Sequence, residues 1–258
     1  MQYLELSREN RIGFITLNRP EKRNAFNQEL VAELQQAFKE MEDDSNVRVV
    51  VLRARGEVFC AGADLGYLQQ LQTFSHEENL QDSRFLAGVY QQIYELGKPV
   101  IAMVQGHAIA GGAGLATVCD FCFAVPEARF GYTEVRIGFV PAIVSYFLSK
   151  KTGEGRARTL LLSGDLISAA DAQQLGIVTH ISEPAGLEKD VLAFAQNLIR
   201  NTSGESLYLT KKLISEINSA DTAEQAMDIG AAYNARSRAT ADCKKGIAAF
   251  LNKEKIQW

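Results

Sequence analysis

This 258-residue chain is poor in residues that cross-link or hold metals. Cys60, Cys119, Cys122 and Cys243 are sparse for the length and lie among apolar neighbours, the setting of reduced core thiols. Cys119 and Cys122 form a C-x-x-C pair, yet no second pair or histidine cluster completes a tetrahedral zinc site, so the spacing reads as strand packing. Histidine is scarcer: His76, His107 and His180 make no metal triad, and His107 reads as a packed or hydrogen-bonded ring. No metal is expected.

Basic runs are also missing. With a formal charge of -4 the chain shows no electrostatic footprint for nucleic acid or an anionic membrane, although a local patch can still hold a phosphorylated ligand. No apolar run approaches the roughly 20 residues that span a bilayer. The opening MQYLELSRENRIGFITLNRP reads as paired strands with no charged-then-apolar signal before it, and the expectation is a cytoplasmic protein. Hydrophobic residues at 47% and charged residues at 22% are ordinary globular usage, enough for a large core.

What is present alternates. Tyr3–Ser7 and Arg11–Leu17 read as strands, Asn27–Met41 as a helix with an apolar stripe through Leu30, Leu34, Phe38 and Met41, and Val47–Ala54 as a buried strand. A helix over about Asp82–Leu96 precedes the strand Val100–Val104, and a helix of small apolar residues follows Gly111-Gly112. Phe121–Val125 and Ala128–Phe130 read as strands, Gly155–Ser163 and Ser168–Leu175 as helices, and the chain is helical from about Leu187. Strands alternating with helices predict α/β architecture. The polar stretch Tyr67–Asn79 is expected to be a mobile flap over the substrate pocket.

Two glycine-bearing segments carry chemical interest: FCAGADL at Phe59–Leu65 and AGGAG at Ala110–Gly114. Neither is a phosphate loop or a dinucleotide fingerprint. If the loops converge, the amides of Ala63 and Gly111 point at one carbonyl oxygen, as enolate stabilisation requires. Glu134, in FGYTEVRIG, adds one carboxylate, and no second acid or base stands in the obvious place.

Taken together, NRPEKRNAF, FCAGADL, QGHAIAGGAGLATVCD, FGYTEVRIGFVP and SAADAQQLGIV resemble, in order and spacing, the enoyl-CoA hydratase/isomerase (crotonase) superfamily over essentially the whole chain. The resemblance implies a crotonase-like spiral of ββα units over 1–195 holding an acyl-CoA site, and a helical trimerisation region over 196–258. It implies acyl-CoA thioester substrates, trimers or pairs of trimers, and no cofactor beyond the coenzyme A that belongs to the substrate. Carried over by resemblance, Ala63 and Gly111 are the oxyanion-hole amides and Glu134 the proton-transfer residue. Lys22, Arg23, Ala25, Ala61, Asp64 and Leu65 fall where the family contacts CoA. Tyr132 is a candidate for the acyl pocket wall.

Gly114 falls where hydratases of the family carry a first glutamate. The small residue there and the stretch TEVRIGFVPA resemble bacterial methylglutaconyl-CoA hydratases. The expected reaction is hydration of a 2-enoyl-CoA, with 3-methylglutaconyl-CoA as the specific candidate. A double-bond isomerase using Glu134 alone, or a non-catalytic acyl-CoA-binding or RNA-binding member, are the alternatives. Arg136 is weighed as a cation for a distal carboxylate and read instead as a local ion pair or surface residue, and Asp120 as structural.

Overall fold

The computed structural model describes residues 1–258. It opens on a hairpin: β1 (Leu4–Glu9) pairs antiparallel with β2 (Ile12–Leu17), and the two-residue turn places both Asn10 and Arg11 at positive φ. All six β2 residues are buried, as a strand covered on both faces must be. Helix α1 (Gln28–Asp43) starts where the Asn27 side chain accepts the Leu30 N–H at 2.9 Å. Its Leu30, Leu34, Phe38 and Met41 form the predicted buried stripe, each side chain contributing about 1.5 to 3 kcal/mol when fully covered.

Strand β3 (Val49–Ala54) lies parallel to β2; then come α2 (Leu65–Leu71), α3 (His76–Glu95), β4 (Val100–Val104), β5 (Ala108–Ile109) and α4 (Gly111–Val118). They are followed by β6 (Phe121–Ala124), β7 (Arg129–Gly131), a 3-10 turn over Glu134–Ile137, α5 (Ala142–Thr152), α6 (Glu154–Ser163), β8 (Ile167–Ser168), α7 (Ala169–Gln174) and β9 (His180–Ile181). The chain closes with α8 (Leu187–Asn201), α9 (Gly204–Ile217), α10 (Ala223–Ala239) and α11 (Ala241–Leu251). The main sheet has the order β1-β2-β3-β4-β6-β9 and is parallel after its first pair; β5, β7 and β8 form a second, small sheet. No helix is long and apolar enough to cross a membrane.

Two segments carry helix beyond what the sequence reading assigned. In Tyr67–Asn79, expected as a flap over the acyl pocket, α2 covers the first part and lines the cavity described below, and α3 begins at His76 behind a Ser75–Glu78 capping box. Helix α5, absent from the sequence reading, fills 142–152. Helix α8 runs unbroken through position 195, with Ile199 still buried in the core. The tail is fastened at α9, where the Lys211 ammonium meets Asp120 Oδ2 at 2.6 Å while the same oxygen accepts the Val100 N–H at 2.7 Å. The four cysteines are unbonded, and burial pushes the Cys60 and Cys122 thiols up to about 12. His107 Nδ1 accepts the Arg129 N–H, and His180 stacks on Phe123.

Candidate active site

Two loops are forced into contact at the ends of β3 and β4. Single bridges pair Cys60 with Ala108 and Phe26 with Ala63. They are held by Ile109 N–H to the Cys60 carbonyl at 2.9 Å and by Phe26 N–H to the Gly62 carbonyl at 2.7 Å. A Cβ on Gly62 would stand 2.9 Å from Ala110 Cβ, and one on Gly112 would overlap the Cys60 carbonyl. Gly62 also has φ of +86°, so the approach requires glycine at both places.

Two amides are left over. The Ala63 and Gly111 N–H groups find no acceptor within the chain. Gly111 is the first residue of α4, where N–H groups have no intrahelical partner. The plane of its amide is set by Ala110, held at φ 50°, ψ -124°, a conformation that L-residues adopt only under constraint. From the other side the Tyr90 hydroxyl donates to the Gly111 carbonyl at 2.5 Å.

Glu134 enters from β7. Tyr132, two residues earlier, is wholly buried, and its hydroxyl lies 2.5 Å from Thr117 Oγ1 on α4. Thr117 Oγ1 also donates to the Ala113 carbonyl, and the Thr117 carbonyl accepts the Lys151 ammonium at 2.9 Å. The helix that offers the Gly111 amide is thereby tied to the segment that carries Glu134. Glu134 Oε2 is buried without a hydrogen-bond partner, and burial raises the carboxyl above the usual carboxylate range.

Ala63, Gly111 and Glu134 line one cavity of about 330 Å³ whose walls are mostly apolar, from Phe26 and Val31 on α1, Leu68 and Leu71 on α2, Leu86 and Tyr90 on α3, and the 137–144 segment. Two unspent N–H donors beside an acidic group of raised pKa can hold an enolate oxygen and move a proton at carbon.

Of the other candidates, Ala61 and Leu65 also line this cavity. Lys22 and Arg23 do not: they sit exposed at the turn beside it, where the Arg23 carbonyl accepts the Ala61 N–H at 3.0 Å. Ala25 is buried under that turn. Asp64 faces away, paired with Arg19 at 2.9 Å and capping α2 through the Gly66 and Tyr67 amides. Tyr132 is no pocket wall, because its ring is in the core and its hydroxyl is spent on Thr117. Gly114 is walled off from the cavity by Val144 and Tyr90. Arg136 pairs with Asp165 at 2.5 Å outside the cavity. Sequence reading missed Tyr67, Asp82, Tyr90 and Val144; the residues at 82, 86 and 90 follow a helical spacing that was legible, but which face meets the loops was not.

The sequence model of the enoyl-CoA hydratase/isomerase family matches residues 7–258. The chain belongs to this family. A Thermus thermophilus protein provisionally named enoyl-CoA hydratase is 41% identical over 242 residues, 94% of this chain and 95% of that one. The crotonyl-CoA hydratase of Syntrophomonas wolfei is 32% identical over 98% of this chain and 96% of its own. A crystal structure of a Mycobacterium smegmatis enoyl-CoA hydratase superposes with a TM-score of 0.92 at 30% identity, covering 99% of this chain and 98% of that chain. The enzyme thus has the crotonase fold expected from its sequence motifs.

Proposed function

We propose that this enzyme adds water across the α,β double bond of a 2-enoyl-CoA. The observation that carries the reading is the unpartnered, buried oxygen of Glu134 in the cavity that also receives the free Ala63 and Gly111 amides. In the proposed step the thioester oxygen accepts both N–H groups and the enolate charge collects there. One Glu134 oxygen delivers its proton to the α-carbon while the other accepts a proton from the water that bonds to the β-carbon, so a single carboxyl serves both ends. Exposed Lys22 and Arg23, in the turn whose Arg23 carbonyl accepts the Ala61 N–H, are the residues we assign to the CoA phosphates. The hydratase names of the relatives support the same reaction.

No Lys, Arg or His lines the cavity. A carboxylate-ended chain such as 3-methylglutaconyl would be desolvated there without a cation, so the substrate class we favour has an uncharged acyl chain. Assembly as a trimer, or a pair of trimers, is part of the proposal: α10 and α11 bury no residue within one chain, and Met227, Phe250 and Leu251 stand uncovered.

A second reading, double-bond isomerisation, draws on the walling-off of Gly114, since one base that lifts and returns a proton needs no activated water. Incubating the purified protein with 2-enoyl-CoA and 3-enoyl-CoA of equal length decides between them. Hydrated product from the 2-enoyl substrate supports the hydratase; bond migration without it overturns that reading.

A further inference from the structure

The active-site cavity holds one group that the proposed reaction does not use. Asp82 lines it, has no cationic partner anywhere in the chain, and accepts its only hydrogen bond from the Tyr67 hydroxyl, which lines the same space. Asp82 is only partly buried, so its free lone pairs face the open cavity, where a ligand hydroxyl can take the place of water. Beside the Tyr67–Asp82 pair a second acid, Glu29 on α1, stands near Tyr67.

The helices fix where along the cavity this pair sits. Asp82, Leu86 and Tyr90 recur every fourth residue on one face of α3 and all line the cavity. Tyr90 marks the thioester end, because its hydroxyl holds the Gly111 carbonyl. Eight residues of helix separate it from Asp82, a rise of roughly 12 Å. On α2 the order is the same: Ala63 precedes the helix, and Tyr67 follows one turn later. The pair therefore stands toward the distal end, with Leu86 between Asp82 and Tyr90 on the same face of α3.

We propose that Tyr67 and Asp82 form a distal subsite that receives a hydroxyl group carried on the acyl chain. The hydroxyl donates to a free lone pair of Asp82; a methyl-ended chain leaves the carboxylate unpaired, and a carboxylate-ended chain meets like charge. This inference rests on the hydratase reading for the orientation of the thioester.

Binding tests it without turnover. Saturated acyl-CoA thioesters ending in methyl, hydroxyl or carboxylate, in a series of increasing length, are titrated calorimetrically into the full chain. At the length that reaches the pair, the hydroxyl-ended thioester is expected to bind about tenfold more tightly than the methyl-ended one, and the carboxylate-ended one most weakly. Asp82→Leu is expected to invert the hydroxyl-to-methyl order, and the isosteric Asp82→Asn, which preserves the shape of the site, to reduce the preference to under about threefold. No hydroxyl preference at any length, or a preference that survives both substitutions, overturns the subsite. A wild-type protein that shows the preference yet hydrates no 2-enoyl-CoA supports the subsite and overturns the hydratase reading.

Discussion

Val144 of α5 occupies the space into which a side chain at Gly114 would grow: an added Cβ would stand 3.0 Å from Val144 Cβ and overlap its Cγ1. The absence of a carboxylate at 114 is therefore built into the packing of α4 against α5, and is more than a missing side chain in an otherwise unchanged site.

Gly114→Ala is accordingly expected to lower stability by about 1 to 3 kcal/mol through overpacking. Adding Val144→Ala should return part of that loss, giving a double mutant more stable than the sum of the two singles. Urea unfolding of the four proteins measures the coupling.

Glu134→Gln should lower kcat by about 100- to 10,000-fold and leave KM within a few-fold, since the group acts on the reacting carbon. Steady-state kinetics on a 2-enoyl-CoA reads both; unchanged kcat would remove Glu134 from the mechanism.

Stability should respond to pH at the same residue. The folded carboxyl is raised above its ordinary value of 4.5 by burial. Between 4.5 and its raised value the folded protein binds more protons than the unfolded chain, so the contribution of this group is full below that interval and is lost as pH rises through it. Relative to the parent, Glu134→Gln gains stability across the interval and keeps the gain above it. Denaturant midpoints measured on both sides of the interval test the sign.

Ala110→Gly should raise stability by about 1 kcal/mol by removing the cost of an L-residue at φ 50°, while lowering kcat because the Gly111 amide loses its fixed plane. Thermal unfolding and kinetics on the same preparation show whether the two effects part in this way.

Lys151→Met keeps much of the side-chain volume but strips two charged donors from the Thr117 and Cys119 carbonyls at the end of α4. A loss of about 2 to 3 kcal/mol is expected, with faster amide hydrogen exchange concentrated in α4.

Much of this was legible in the chain. The apolar stripe of α1, the buried strands and the two glycine segments stand where periodicity and backbone freedom put them, and the family motifs marked Ala63, Gly111 and Glu134. The helices within Tyr67–Asn79 went unread because polar composition outweighed the S-x-x-E capping signal at Ser75–Glu78. Helix α5 was missed although Lys150, Lys151 and Gly153 mark a C-terminus, because its apolar residues favour no single face. Tyr132 and Asp64 show the other limit. Both adjoin the site in sequence, but alternation along a strand and the capping of a helix turn them away from the cavity, and only tertiary packing settles which way each faces.

The glycine contacts at Gly62 and Gly112 partition the freedom of this site to change. Any side chain at either position separates the loops and with them the donor pair, so the two amides can be altered only as a unit. Wall residues such as Leu68, Leu71 and Leu86, unlike Tyr90 and Val144, carry no such constraint. New acyl preferences can therefore arise there by single substitutions, with the reaction itself inherited intact.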